Sequence, residues 1–126
     1  MITDSQIEAA KKRTSYSQEE EQFHEHNDCI RIAYEWLDAQ RKIKTTTKKN
    51  SPLKHIIEQW GGRYVSHSDV EVAAYLHPEI YGDYPFFNIS SRLTEPSIER
   101  LDEIGEAFAQ DYRDRHSPER YKYHEK

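Results

Sequence analysis

The chain has 126 residues, of which 35% are hydrophobic and 33% charged, with a mean hydropathy of −1.07. Such a chain holds one modest core, so it forms one domain with a tail or with one added helix. A single cysteine, Cys29, excludes an internal disulfide framework and a multi-thiolate zinc centre. Aromatic residues make up 12%, nine tyrosines among them, which argues against disorder.

No apolar run approaches the roughly 20 residues of a membrane span. The opening "MITDSQIEAAKKR" lacks the apolar stretch of a signal peptide, so a cytoplasmic protein without a membrane partner is expected. The net charge of −5 conceals a pattern. Residues 1–40 carry four Lys/Arg against nine Asp/Glu, residues 41–66 carry seven against one, and residues 67–126 carry seven against thirteen. A cationic band therefore lies between two acidic flanks. The acidic total disfavours non-specific nucleic-acid binding, while the band itself has the charge to follow phosphates.

Residues 1–17 read as a polar segment. Ser17–Glu20 has capping-box spacing. From Phe23 onwards, His26, Cys29, Ile30, Ala33, Trp36, Leu37 and Gln40 recur at three- and four-residue steps. That stripe predicts a long amphipathic helix over 18–42, packed on the core or paired in a homodimer seam. The threonine- and lysine-rich stretch 43–51 reads as an exposed basic linker. Ser51 and Pro52 predict a helix start, Leu53, Ile56, Ile57 and Trp60 its buried face, and Gly61-Gly62 its end.

"RYVS" is β-prone and suggests one short strand. Ser68-Asp69-Val70-Glu71 has capping-box spacing and predicts a helix through Leu76, with Val72, Ala73 and Leu76 inward. His77–Pro85 reads as a loop, interrupted by two prolines and a glycine. A second short helix is expected from Pro85 to Leu93, with Phe86, Ile89 and Leu93 inward and Asn88, Ser90, Ser91 and Arg92 outward. Thr94 or Ser97 caps a last helix carrying Ile98, Leu101, Ile104, Phe108 and Tyr112 to about Arg113. A competing reading breaks it at Gly105 and makes two strands around "RHSPE". Residues 114–126 are a charged tail or a wing strand.

The expected fold class is mainly α. It has a helix-turn-helix-like core over 52–113, with or without a small β-hairpin as a wing, preceded by the long amphipathic helix. A capped helix, a break and a second short helix ending "NISSRL" follow the layout of a helix-turn-helix. The stretch of about 52–106 resembles winged-helix DNA-binding domains of bacterial and prophage regulators. That resemblance implies a recognition helix at Phe86–Leu93, with Asn88, Ser90, Ser91 and Arg92 facing the groove of double-stranded DNA. Asn and Arg have the donors for base edges, and Ser serves a base or a phosphate. Lys48 and Lys49 would then lie along the phosphate backbone.

The resemblance implies a small non-enzymatic DNA-binding regulator or accessory protein of prophage or mobile-element type. The alternative is an acidic protein-binding module that inhibits or adapts a protein partner, for example a host nucleic-acid-binding protein. Tyr81, Tyr84, Phe86 and Phe87 fit that alternative as a hot spot, or else they cover the edge of the core. His26 and Cys29 share a helical face near His24, but two ligands do not close a zinc site. The remaining histidines lie apart from any nucleophile motif, and no phosphate-cradling glycine loop is present. No cofactor, no metal and no enzymatic activity are expected.

Overall fold

Thr3 begins the first helix with a reciprocal capping box. Its hydroxyl accepts from the Gln6 amide while the Gln6 side chain accepts from the Thr3 amide. The computed structural model describes residues 1–126, apart from the side chain of Glu19. Four helices form its framework: α1 (Asp4–Arg13), α2 (Asn27–Asp38), α3 (Leu53–Gly61) and α4 (His67–Leu76). The protein is small and mainly α, and no helix is long and apolar enough to cross a membrane among the described residues.

The polar N-terminal segment is itself part of the core. Asp4 in the first turn of α1 and Lys11, Lys12 and Arg13 in the last complement the helix dipole, and Ile7 and Ala10 are buried. α1 packs on α4 and α2, and α2 packs most extensively on α4. Cys29, Ile30, Ile32, Ala33, Trp36 and Leu37 fill the centre from α2. On α3 the expected face of Leu53, Ile56, Ile57 and Trp60 is buried. Gly62 ends that helix at φ +65°, where an added Cβ would meet the Phe108 Cα at 2.9 Å.

Several expected boundaries move, each for a tertiary reason. The long helix begins at Asn27 rather than 18, with His26 accepting from the Asp28 amide as its cap. The Ser17–Glu20 capping box does not form, because the Ser17 amide donates to Glu71 and Glu19–Glu21 make one 3-10 turn. Phe23 leaves the stripe: its amide donates to Ser68 Oγ and its carbonyl accepts from Ser66 Oγ. Ser51 caps nothing, and Pro52 occupies the position before α3. "RYVS" forms no strand. Ser66, not Ser68, caps α4, because the Asp69 carboxylate returns to the Ser66 amide and Ser68 serves the Phe23 amide.

The helix expected at Phe86–Leu93 is absent. Gly82–Asp83 (β1) and Phe86–Phe87 (β2) form an antiparallel hairpin around a cis Tyr84–Pro85 bond. The following residues run beside the basic segment: the Ile43 amide donates to Asn88, Thr47 to Phe87, and Ser90 to Arg41. These bonds satisfy the backbone of 87–90 in extended form, which aromatic and β-branched residues tolerate well. The stretch 43–51 is therefore no free linker.

The last expected helix also breaks up. Ile98–Leu101 and Asp111–Arg115 are short 3-10 segments, and Phe108 sits at φ +64° between them. Its amide donates to the Gly61 carbonyl and that of Gln110 to Gly62, which ties the segment to the end of α3. The competing pair of strands around "RHSPE" does not form either. Instead Tyr123–His124 (β4) pairs in parallel with Thr94–Glu95 (β3). Gln40 fixes β3 by accepting from the Thr94 amide and donating to its carbonyl. Tyr121 closes the base of the core, with Trp36 Nε1 donating to its hydroxyl at 3.0 Å.

Candidate functional site

Asn88, expected to face a DNA groove, is 2% exposed. Its Oδ1 accepts from the Tyr81 amide at 2.7 Å, and its Nδ2 donates to the Glu79 and Ile43 carbonyls at 3.0 and 3.3 Å. It is the staple that joins the hairpin to the basic segment, and no base edge reaches it. Ser90 Oγ accepts from the Arg92 amide and is half-buried. Ser91 and Arg92 are exposed, on a bend rather than a helix. Lys48 and Lys49 are exposed in the basic segment, so the six residues share neither an element nor a common role.

The cations around that segment are nonetheless unpaired. Arg41 stacks over the Tyr123 ring at 3.5 Å, and Lys44, Lys48, Lys49, Arg92 and Lys122 enter no ion pair among the described residues. Backbone bonds bring residues 41, 92 and 122 into one neighbourhood, the Ser90 amide donating to the Arg41 carbonyl and the Lys122 amide to that of Leu93. Of the seven cations in the band read from the sequence, Arg41, Lys44, Lys48 and Lys49 stay exposed, whereas Lys42 is half-buried on the Asp38 carbonyl, Lys54 pairs with Glu58, and Arg63 is buried against Glu25 and Glu106.

The aromatic cluster divides in two. Phe87 is buried, and Tyr84 packs edge-on against it at 6.2 Å while accepting from the Lys54 amide. Tyr81 is 52% exposed and Phe86 is also exposed, as is Tyr75 (45%) on α4. Tyr81 donates its hydroxyl to the Lys44 carbonyl, which holds the ring at the hairpin's edge. Asp83 stands opposite Phe86 in the pair of strands, and Glu79 is exposed just before the hairpin. Between the hairpin, α4 and the end of α1 lies a cleft of about 270 Å³, with Glu71, Tyr75, Tyr81 and Asp83 in its lining. Sequence reasoning set Glu71 in a capping box and missed its place in the cleft, whose signal is a carboxylate set inside the apolar run Val70–Ala74.

Most of the histidines pair with acids. Five of them hydrogen-bond a carboxylate: His24 to Asp69, His55 to Glu58, His77 to Asp38, and both His116 and His124 to Glu95. His24 Nδ1 donates to the fully buried Asp69 at 2.7 Å, and its Nε2 lies 3.1 Å from the Tyr16 hydroxyl. Tyr16 donates to the Lys11 carbonyl, and burial, aided by the Glu71 charge, pushes it up to about 12. The hydroxyl thus joins α1 to α4 by way of His24 and Asp69. Burial likewise pushes the Cys29 thiol up to about 12, which leaves it unreactive. His26 is exposed while Cys29 is buried, and no group of three ligands fit for a metal is present among the described residues.

Two further networks anchor the C-terminal segment. Arg100 bridges Glu35, Asp38 and Glu125, and Glu95 receives His116 and His124 at 2.6 and 2.7 Å. No family model matches the chain, and no curated protein or solved structure matches it.

Proposed function

We propose that this protein is a non-enzymatic binding module that docks a basic segment of a protein partner on the face built by the hairpin and α4. One observation carries the reading: Tyr75, Tyr81 and Phe86 stay exposed around a hairpin that Asn88 holds from behind. Aromatic side chains offer large contact area at low entropic cost, and rigid backing keeps that cost low. Glu79, Asp83 and Glu71 outnumber the single cation Arg13 on that face, which favours a basic partner. The test is site-specific photo-crosslinking from positions 81 and 86, followed by affinity measurement with the purified partner. Tyr81→Ala with Phe86→Ala should weaken binding by at least about tenfold, since aromatic anchors cost roughly 2 kcal/mol or more. Equal affinity in that variant, or a partner without a basic segment, overturns the reading.

A second reading keeps DNA as the partner, through phosphates rather than base edges. The exposed, unpaired Arg41, Lys44, Lys48, Lys49, Arg92 and Lys122 favour it. Duplex binding titrated between about 50 and about 200 mM salt should then weaken steeply, and Lys48→Ala with Lys49→Ala should flatten the slope by roughly one unit per lost contact. Absence of binding at the lowest salt removes this reading.

A further inference from the structure

Glu71 sits in the middle of α4, is 7% exposed, and is flanked by the buried Val70 and Val72. Its Oε2 accepts from the Ser17 amide at 2.8 Å, but its Oε1 has no hydrogen-bond partner. A buried carboxylate oxygen without a donor carries a desolvation cost, and a positively charged donor relieves it most effectively. Glu71 belongs to the lining of the cleft under the hairpin, and its Oε1, itself covered from solvent, is the acceptor that a donor entering that space has to uncover.

The rest of the lining suits a cation on a short apolar stem. Tyr75, Tyr81 and Tyr84 present aromatic rings, whose faces attract cations. Ile80 and Phe87 add apolar surface for methylene groups. Asp83 supplies a second negative charge, and Arg13, the one cation of the lining, pairs with neither acid among the described residues. The field of Glu71 is felt by its neighbours: burial raises Tyr84, and the Glu71 charge adds to that rise.

We propose that the cleft between α4 and the hairpin binds a primary alkylammonium group, of the kind a lysine side chain presents, with Glu71 Oε1 accepting from its N–H. The proposal rests on the docking reading for the source of that group, and it names the anchor a basic partner inserts. A quaternary ammonium lacks the N–H that Oε1 requires, and a neutral alcohol lacks the charge.

The experiment titrates n-butylammonium into the full chain by amide NMR at constant ionic strength, with 1-butanol and tetramethylammonium as comparison ligands. Saturable shifts should appear around Glu71, Tyr75 and Tyr81, and both comparison ligands should bind at least about fivefold more weakly. Glu71→Gln keeps an acceptor for the Ser17 amide and should weaken n-butylammonium by about tenfold or more. Tyr75→Ala removes one exposed wall and should weaken it by about two- to tenfold, which keeps the test intact if Glu71→Gln fails to fold. The site is overturned by the absence of saturable shifts, by equal binding of butanol or tetramethylammonium, or by variants that fold and bind as the parent does. Loss of the ammonium response while Tyr81→Ala with Phe86→Ala still weakens the partner removes the site and leaves the docking reading. An intact response beside an indifferent partner does the reverse.

Discussion

Replacing Asn88 by alanine separates a structural role from a DNA-reading one. The side chain accepts from the Tyr81 amide and donates to two carbonyls, Glu79 before the hairpin and Ile43 in the basic segment. Alanine leaves that amide and those carbonyls without side-chain partners in a place that is 2% exposed. A buried hydrogen bond contributes about 1 kcal/mol net, and each group left unsatisfied costs about 1–3 kcal/mol. The contact to Ile43 is the longest, at 3.3 Å, and contributes least. We therefore expect a total loss of about 3–5 kcal/mol. With a urea slope of about 1–2 kcal/mol/M, the unfolding midpoint should fall by roughly 1.5 M or more. Amide exchange at Tyr81 should accelerate along with it. An outward, groove-reading Asn88 makes the opposite prediction, a surface change within about 0.5 kcal/mol. An unchanged midpoint at unchanged slope refutes the staple.

Ser66→Ala should destabilise the protein by about 0.5–2 kcal/mol in urea unfolding, because it removes the cap of α4 together with the bond to the Phe23 carbonyl. A neutral result there moves the helix start away from His67. Stability should also fall in acid. The Arg100 guanidinium lowers Glu125, and although burial opposes it, hydrogen bonds from His116 and His124 bring Glu95 below its ordinary value, as those from His77 and Arg100 do for Asp38. Carboxylates held lower in the folded than in the unfolded chain stabilise above the ordinary range near pH 4, and that contribution is lost as pH falls through their folded values. Urea midpoints from about pH 6 to about pH 2 should drop mainly below about pH 4, and Glu95→Gln should remove part of the drop. A flat profile contradicts the networks around β3 and β4.

What the sequence makes legible is set by the range of the interactions. The faces of α2 and α3 are readable because Cys29, Ala33, Trp36 and Leu37, or Leu53, Ile56, Ile57 and Trp60, record a local period. Ser66 and Ser68 both have an acid three residues on, and only the distant Phe23 amide decides which of them caps. Phe86, Ile89 and Leu93 mimic a helical spacing, yet the partner of that segment is residues 41–47, far back in the chain. Local pattern carries no trace of such a pairing. Asn88 misleads for the same reason: a polar residue reads as outward unless its buried partners are known. The breakup of 98–113 depends on bonds to Gly61 and Gly62 that nothing in that stretch announces.

The extended segment 87–90 lies between the two proposed binding surfaces, with the aromatic, acidic cleft on the hairpin side and the cationic strip on the side of 41–47. Asn88 bonds to both neighbours at once, so the two surfaces share one mechanical support. Substituting it disturbs the cleft and the strip together, and a binding defect in that variant assigns function to neither. Discrimination needs changes that leave the staple intact. Tyr75→Ala alters only the exposed wall of the cleft, while Lys48→Ala with Lys49→Ala alters only exposed charge on the strip. Salt separates them further. Phosphate contacts on the strip release counterions and weaken steeply with salt, whereas an ammonium seated on a buried carboxylate between tyrosine rings is shielded from screening. A partner whose affinity survives salt and fails with Tyr75→Ala belongs to the cleft, and one with the opposite pattern belongs to the strip.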